Sequence, residues 1–296
     1  MNERKSLIRM MLLLGISALV LGLCCLKASR QEEPDTVRTA VINVDKPYVN
    51  VPIIMYHSIL PDVSKKGDYV ITPSQLDSDL AYLKQNGYKA VTLDSLIEYC
   101  DGTGELPEKP VVITFDDGQL NNLTYALPLL EKHDFCAAFS VVGRYTEAAC
   151  EDAAPDPSYS YLDFDDIKKL LDSGRAELVN HSYNMHSLDE RRGALQRADE
   201  SYKEYRRAML NDVSYAQRLF KRELGIEPVV YAYPFGLVCP VAGTVLKMLG
   251  FKASLGCEEK PNHLTRGDSS ALTELHRYNR PAFVSTEEFM KRALAE

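Results

Sequence analysis

The 296-residue sequence predicts an α/β fold, a distorted (β/α)7-8 barrel with an N-terminal transmembrane anchor. Three observations carry this expectation. From Val51 onward, short apolar runs alternate with helical patterns, as in a parallel sheet covered by helices. Seven or eight such units fit a closed or distorted barrel better than an open sheet. Two adjacent aspartates, two histidines and a Tyr-Pro-Phe-Gly turn all fall at the C-terminal ends of predicted strands, where barrels place their chemistry.

The N-terminus stands apart from the domain. Arg4, Lys5 and Arg9 precede an uncharged apolar stretch from Met10 to Leu26. That stretch is near the roughly 17-residue lower limit for crossing a bilayer as a helix. The preceding charges favour an N-inside orientation, although Lys27 and Arg30 weaken the asymmetry. No small-x-small cleavage signal precedes Lys27, and Leu21-Gly22-Leu23-Cys24 is a poor lipoprotein box. Residues 1–28 are therefore expected to be an uncleaved signal anchor rather than a cleaved signal. Residues 29–50, polar with scattered prolines, read as an extracytoplasmic linker. Residues 51–296 are expected to form a single domain, outside the cytoplasm under either reading of the anchor.

Within that domain Val51–Tyr56 reads as a strand and 73–86 as a helix capped by Thr72. A short strand over 90–93 and a short helix over 94–100 follow. Val111–Phe115 is an uninterrupted apolar and β-branched strand. A helix over 122–133 is bent by Pro128, and 135–142 is a strand. The helix over 164–173 is closed by Gly174. A strand over 177–179 leads to a charged, strongly helical stretch over 188–224 that stops at Gly225. A strand over 229–233, a helix over 241–249, a strand over 252–255, a last strand over 275–278 and a helix over 286–294 complete the chain. The five cysteines from Cys100 onward leave at least one thiol unpaired. Cys239 and Cys257, both in loops after strands, are the candidate disulfide. No CxxC pair exists, which disfavours a thiolate zinc site.

The most informative run is Val111-Val112-Ile113-Thr114-Phe115-Asp116-Asp117-Gly118. A buried strand ending in two carboxylates needs a cation beside them. Downstream, Asn180-His181-Ser182-Tyr183-Asn184-Met185-His186 offers two imidazoles. A five-residue spacing puts them about 140° apart on a helix and on opposite faces of a strand. The segment must instead be an irregular loop if both histidines share an ion. Asp117, His181 and His186 are assigned as metal ligands and Asp116 as general base. Three protein ligands leave a position open for water, whose pKa a metal brings to roughly 7. The ion is expected to be zinc, with cobalt, nickel, manganese and iron also served by such a donor set.

Thr114-Phe115-Asp116-Asp117-Gly118 resembles the first motif of the polysaccharide deacetylases (the NodB-homology domain, carbohydrate esterase family 4), and His181-Ser182 to His186 resembles the second. The resemblance runs from about Val51 to Arg280. It implies a deformed barrel and metal-dependent removal of N-acetyl groups from amino sugars, with the second Asp on the metal and the first as base. The five-residue histidine spacing, in place of four, is similar to the branch acting on poly-N-acetylglucosamine. Two further departures stand out. The third motif carries Arg three residues before Tyr-Pro, where this chain has Val230. Arg277 and Arg280 are the candidate substitutes for orienting the base. The C-terminal Leu-x-His acid motif is reduced to an echo at Leu275-His276. In the exopolysaccharide branch a Tyr-His after the first strand supplies the acid, which here is Tyr56-His57. His57 is thus the expected proton donor and His276 the alternative. The resemblance points to Tyr233 for a backbone N–H stabilising the oxyanion, and Tyr233 and Phe235 offer rings to sugar faces. Asn180, Tyr183 and Asn184 are further candidates for the sugar groove.

The expected activity is hydrolysis of N-acetyl groups from a GlcNAc- or MurNAc-containing cell-wall or extracellular polysaccharide. The expected partners are that glycan and, through the N-terminal helix, the cell membrane; no protein partner is predicted. Two rivals are a catalytically impaired wall-binding protein with the same fold and an amidohydrolase acting on a small exported N-acyl compound. A net charge of -8 argues against a nucleic-acid partner.

Overall fold

The computed structural model describes residues 48–295. The anchor over 1–28 and all but the last three residues of the linker lie outside that range. No helix among the described residues is long and apolar enough to cross a membrane.

The chain opens with β1 (Tyr48–Asn50), β2 (Ile53–Tyr56), β3 (Ser58–Ile59) and β4 (Val70–Ile71), then α1 (Pro73–Gln85), β5 (Lys89–Ala90) and α2 (Leu93–Cys100). Next come β6 (Pro110–Phe115), α3 (Leu127–His133), β7 (Ala137–Val141), α4 (Gly143–Ala149), α5 (Phe164–Asp172) and β8 (Ala176–Asn180). The last part holds α6 (Tyr202–Leu224), β9 (Val230–Ala232), α7 (Pro240–Met248), β10 (Ala253–Leu255), β11 (His263–Thr265), β12 (Tyr278–Asn279) and α8 (Thr286–Ala293).

An eight-stranded sheet runs β10-β9-β8-β7-β6-β2-β12, with β5 paired to the start of β6. Every pairing in it is parallel. The sheet curls until its two edges meet on one segment. Tyr278 and Asn279 pair with Ile54 and Met55 of β2, while Leu275, three residues earlier, bridges to Leu255 of β10. The Leu275 N–H donates to Ser254 O at 2.8 Å and the Gly256 N–H to Leu275 O at 2.9 Å. Residues 275–279 thus close the distorted barrel.

Strand alternation divides the core. Val111, Ile113 and Phe115 of β6 pack with Leu76, Leu80 and Leu83 of α1, Leu130 of α3, Phe220 of α6 and Phe289 of α8. Val112, on the other face, joins Ile53, Val179, Ala232, Leu255 and Leu275, together with Leu93, Leu96 and Ile97 of α2. Thr114 and Asp116 continue the Val112 face. Register then levels the strand ends. Tyr56 pairs with Phe115, Phe115 with Phe139, Val141 with Asn180, and Asn180 with Tyr231. His57, Asp116, His181 and the turn after Ala232 consequently leave the sheet at one rim.

Several local expectations change. Tyr48–Asn50, the tail of the expected linker, pairs antiparallel with β11. The expected strand over 90–93 ends at Ala90 because Thr92 caps α2 by accepting the Ser95 N–H. The helix over 122–133 begins as a π-helical turn, Asn122–Ala126, and Pro128 falls in the first turn of α3, where its missing N–H is not needed. The stretch over 188–224 is helical only from Tyr202, where Ser201 and Glu204 form a reciprocal capping box. Cys239 and Cys257 are free thiols. Cys239 packs with Tyr205 and Ala242, whereas Cys257 lies against Met55 and Arg277.

Candidate active site

The Asp116 N–H extends the sheet by donating to Tyr56 O at 3.0 Å. The chain then turns abruptly, with φ of 71° at Asp117 and 68° at Gly118. A Cβ on Gly118 would lie 2.6 Å from Val141 Cγ1, so both conformation and space demand glycine. The two left-handed residues let neighbouring carboxylates serve different partners.

After β8 the chain is irregular, as the histidine spacing requires. Ser182 has φ of 76°, and Asn180 Oδ1 accepts the Ser182 N–H at 2.8 Å. The Asp212 carboxylate of α6 accepts the N–H groups of Tyr183 and Asn184, each at 2.8 Å. This bracing folds the loop back until the rings of His181 and His186 have centroids 5.0 Å apart.

Asp117, His181 and His186 each present a ligand atom, all within 4.8 Å of one another. Asp117 Oδ1 lies 3.0 Å from His186 Nε2 and 3.6 Å from His181 Nε2. Tetrahedral zinc with ordinary Zn–N and Zn–O bonds separates its ligand atoms by about 3.3 Å, so the donor set fits a divalent ion. The tautomers fit as well. His181 Nδ1 donates to Ala232 O at 2.8 Å, which leaves the lone pair of Nε2 facing Asp117. His186 Nδ1 lies 3.4 Å from the Tyr145 hydroxyl.

Asp116 is 2% exposed and Arg277 0%. Arg277 forks onto it, Nη1 to Oδ1 and Nη2 to Oδ2, both at 2.8 Å. Arg277 Nε donates to Gly256 O at 2.8 Å and Nη1 to Thr114 Oγ1 at 3.3 Å. Burial raises the Asp116 carboxyl, yet Arg277 and then His181 hold it well below the ordinary range. Arg280 does not share this place. It binds Asp79 of α1 through Nε at 2.8 Å, in a buried cluster with Tyr56 and Thr286. Three residues along an extended segment reverse the side chain, so only one of the two arginines can face the rim.

His57 follows Tyr56 and so stands level with Asp116. Its Nδ1 is buried without a protein partner, and its ring meets Tyr69 edge-on, centroids 4.8 Å apart. Burial lowers its pKa, opposed by Asp116 and Asp117. His276 turns the other way, its Nδ1 3.8 Å from the exposed Glu258 and its backbone N–H on Asn262 Oδ1. It adjoins Arg277 and therefore points away from Asp116.

Tyr233 does not present a free N–H. Its backbone donates to Leu255 O at 3.0 Å, and its ring is fully buried. Pro234 has no N–H, and Gly236 donates to Tyr233 O at 2.8 Å. Phe235, with φ of 59°, is left as the turn residue whose N–H has no acceptor among the described residues. Its ring is 40% exposed and lies 4.4 Å from that of His186. Asn180 is buried and braces the loop, donating to Gln217 at 3.0 Å. Tyr183 donates to Glu147 at 2.8 Å and lines a separate cavity with α4, and Asn184 is exposed with its N–H on Asp212.

Sequence reasoning passed over Tyr145. It follows β7 by four residues on α4, and its place just past a strand end was the available signal.

The polysaccharide deacetylase family model matches residues 103–254. A poly-β-1,6-N-acetyl-D-glucosamine N-deacetylase of Escherichia coli O157:H7 is 23% identical over 261 residues, covering 81% of this chain and 39% of that protein. Its counterpart from Staphylococcus aureus strain MRSA252 is 25% identical over 198 residues, covering 65% of this chain and 63% of the relative. The chain thus aligns with about two fifths and just under two thirds of these relatives. A de-N-acetylase of Aggregatibacter actinomycetemcomitans shares the fold, with a TM-score of 0.67, 23% identity, and coverage of 80% of this chain and 96% of that one.

Proposed function

Because this chain belongs to the polysaccharide deacetylase family, we propose that it hydrolyses N-acetyl groups from a GlcNAc-containing polysaccharide, releasing acetate and leaving a free amine. Poly-N-acetylglucosamine is the favoured polymer, since the relatives named above carry that substrate in their names. The observation carrying the proposal is Asp117, His181 and His186 converging beside an Asp116 locked by Arg277.

Asp117 Oδ1, His181 Nε2 and His186 Nε2 would hold one divalent ion, zinc by default. Such an ion would polarise the amide carbonyl and acidify water. Asp116 accepts the proton of the attacking water while Arg277 fixes both carboxylate oxygens. The Phe235 N–H stabilises the negative charge that develops on the carbonyl oxygen. His57 delivers a proton to the departing nitrogen. Its lowered pKa makes the protonated ring a stronger acid, and a scarcer one at pH 7. Phe235 and Tyr69, both exposed near the rim histidines, offer apolar faces to sugar rings.

The missing third-motif arginine was the ground for a binding-only reading, and the Arg277 fork supplies the contact that reading lacked. We place the activity outside the cytoplasm, with the chain held at the membrane by residues 10–26. Acetate release is to be measured from poly-N-acetylglucosamine, chitooligosaccharides and peptidoglycan, with chelator and after zinc re-addition. Chelator-sensitive release from the first is expected. Release from small N-acyl compounds alone would favour the small-substrate rival, and none from any substrate with zinc bound would overturn the proposal.

A further inference from the structure

We infer that Tyr145 is a positioning residue that orients His186 and thereby sets the metal affinity of the site; this rests on the metal reading above. The Tyr145 hydroxyl donates to His186 O at 2.9 Å and lies 3.4 Å from His186 Nδ1. One hydroxyl has one proton to give and lone pairs to receive. Having donated to the carbonyl, it accepts from Nδ1–H, which leaves the Nε2 lone pair facing Asp117. His181 reaches the same state through a backbone carbonyl. His186 sits on the irregular loop six residues past β8, and among the described residues this hydroxyl alone meets its Nδ1.

Tyr145 is itself backed from a second direction. Its ring packs on Tyr161 with centroids 4.5 Å apart. Tyr161 forms an antiparallel bridge with Gln119. On either side of it, the Leu162 N–H donates to Gly118 O at 2.8 Å and the Leu120 N–H to Ser160 O at 2.9 Å. The segment 160–162 is therefore latched to the turn that carries Asp117, and through the two tyrosines it reaches His186. One strap fixes the carboxylate ligand by its backbone and the second imidazole by its side chains.

Partners behind a metal-bound histidine usually change metal affinity about 10–100-fold when removed. Tyr145→Phe deletes the hydroxyl and keeps the ring. Zn2+ affinity of the full-length wild type and variant is to be measured by competition with a chromophoric chelator. The Co2+ visible spectrum serves as a second report on ligand geometry. The expected result is a 10–100-fold weaker Zn2+ affinity, a shifted Co2+ spectrum, and a kcat that recovers to within a few-fold at saturating metal. Tyr161→Leu, which leaves the hydroxyl but removes its support, should weaken binding less and in the same direction. It carries the test should Tyr145→Phe fail to fold. Equal affinities in wild type and variants overturn this inference alone. So does a kcat that stays more than tenfold down at unchanged affinity, because Tyr145 would then act on substrate. A wild type that binds neither ion overturns the metal reading and this inference together.

Discussion

Removing the Arg277 guanidinium tests the reasoning about Asp116 most directly. In Arg277→Met the carboxylate, 2% exposed, loses two hydrogen bonds of 2.8 Å and the guanidinium charge in direct contact with it. Gly256 O loses a donor at 2.8 Å as well. Breaking one side of a buried ion pair costs about 3–5 kcal/mol. An unsatisfied backbone carbonyl adds about 1 kcal/mol. A loss of about 4–6 kcal/mol is a large share of the total stability of a domain, usually about 5–15 kcal/mol. The size of the loss follows from the orphaned charge, so Arg277→Met with Asp116→Asn should recover most of the stability and none of the activity. The sign with pH follows too. In the wild type Asp116 titrates below its unfolded value of 3.8, so its contribution is present above pH 3.8 and fades as pH falls through the folded pKa. Without Arg277 the burial effect is unopposed by its largest partner and the carboxyl titrates higher. The acid limb of kcat/KM must then move to higher pH, since the base works only when ionised. Urea unfolding of the three proteins at pH 7, and pH–rate profiles of the wild type and Arg277→Met, measure both effects. A double variant no more stable than the single one, or an acid limb that stays in place, would refute this account.

Three further outcomes are expected. His57→Ala should retain Zn2+ at wild-type affinity while acetate release falls about 10²–10⁴-fold; turnover within tenfold of wild type removes His57 from the reaction. Gly118→Ala places a Cβ 2.6 Å from Val141 Cγ1 at φ of 68°, which costs about 2–4 kcal/mol in strain and overpacking. Thermal unfolding reads that cost, and an unchanged Tm would show the turn to be pliable. Glu177 accepts the N–H of Leu93 at 2.6 Å, and burial pushes its carboxyl from 4.5 up to about 7. Its protonated form favours folding, a contribution complete below pH 4.5 and lost as pH rises through about 7. Glu177→Gln should therefore gain up to about 3 kcal/mol over wild type between pH 5 and pH 8 in urea titrations; a constant difference would contradict the assignment.

What could be read from the sequence was local. Five apolar or β-branched residues before Asp116-Asp117-Gly118 define a buried strand and its exit, and the histidine spacing forces an irregular loop. Arg277 was harder, because it meets Asp116 across 161 residues and the strand that follows it is only two residues long. Both arginines stayed open until the register of β12 was known, after which strand alternation alone separates them. Tyr233 was misplaced for a related reason. Whether its N–H is spent depends on pairing with β10, which leaves no mark in the Tyr-Pro-Phe-Gly run itself. Tyr145 escaped notice because α4 carries only Gly143 and Thr146 as buried positions, too few to show a helical period. The charged stretch over 188–201 looked helical by composition, yet Gly193, with φ of 55°, packs its backbone against Pro234 O.

The seam of the barrel and the partner of Asp116 share one short piece of chain. Residues 275–279 bond to β10 at one end and β2 at the other, and Arg277 sits between those attachments. A polypeptide still emerging from the ribosome has Asp116 more than 150 residues before the guanidinium that neutralises it arrives. Sealing the seam and pairing the Asp116 carboxylate with its guanidinium are therefore one event.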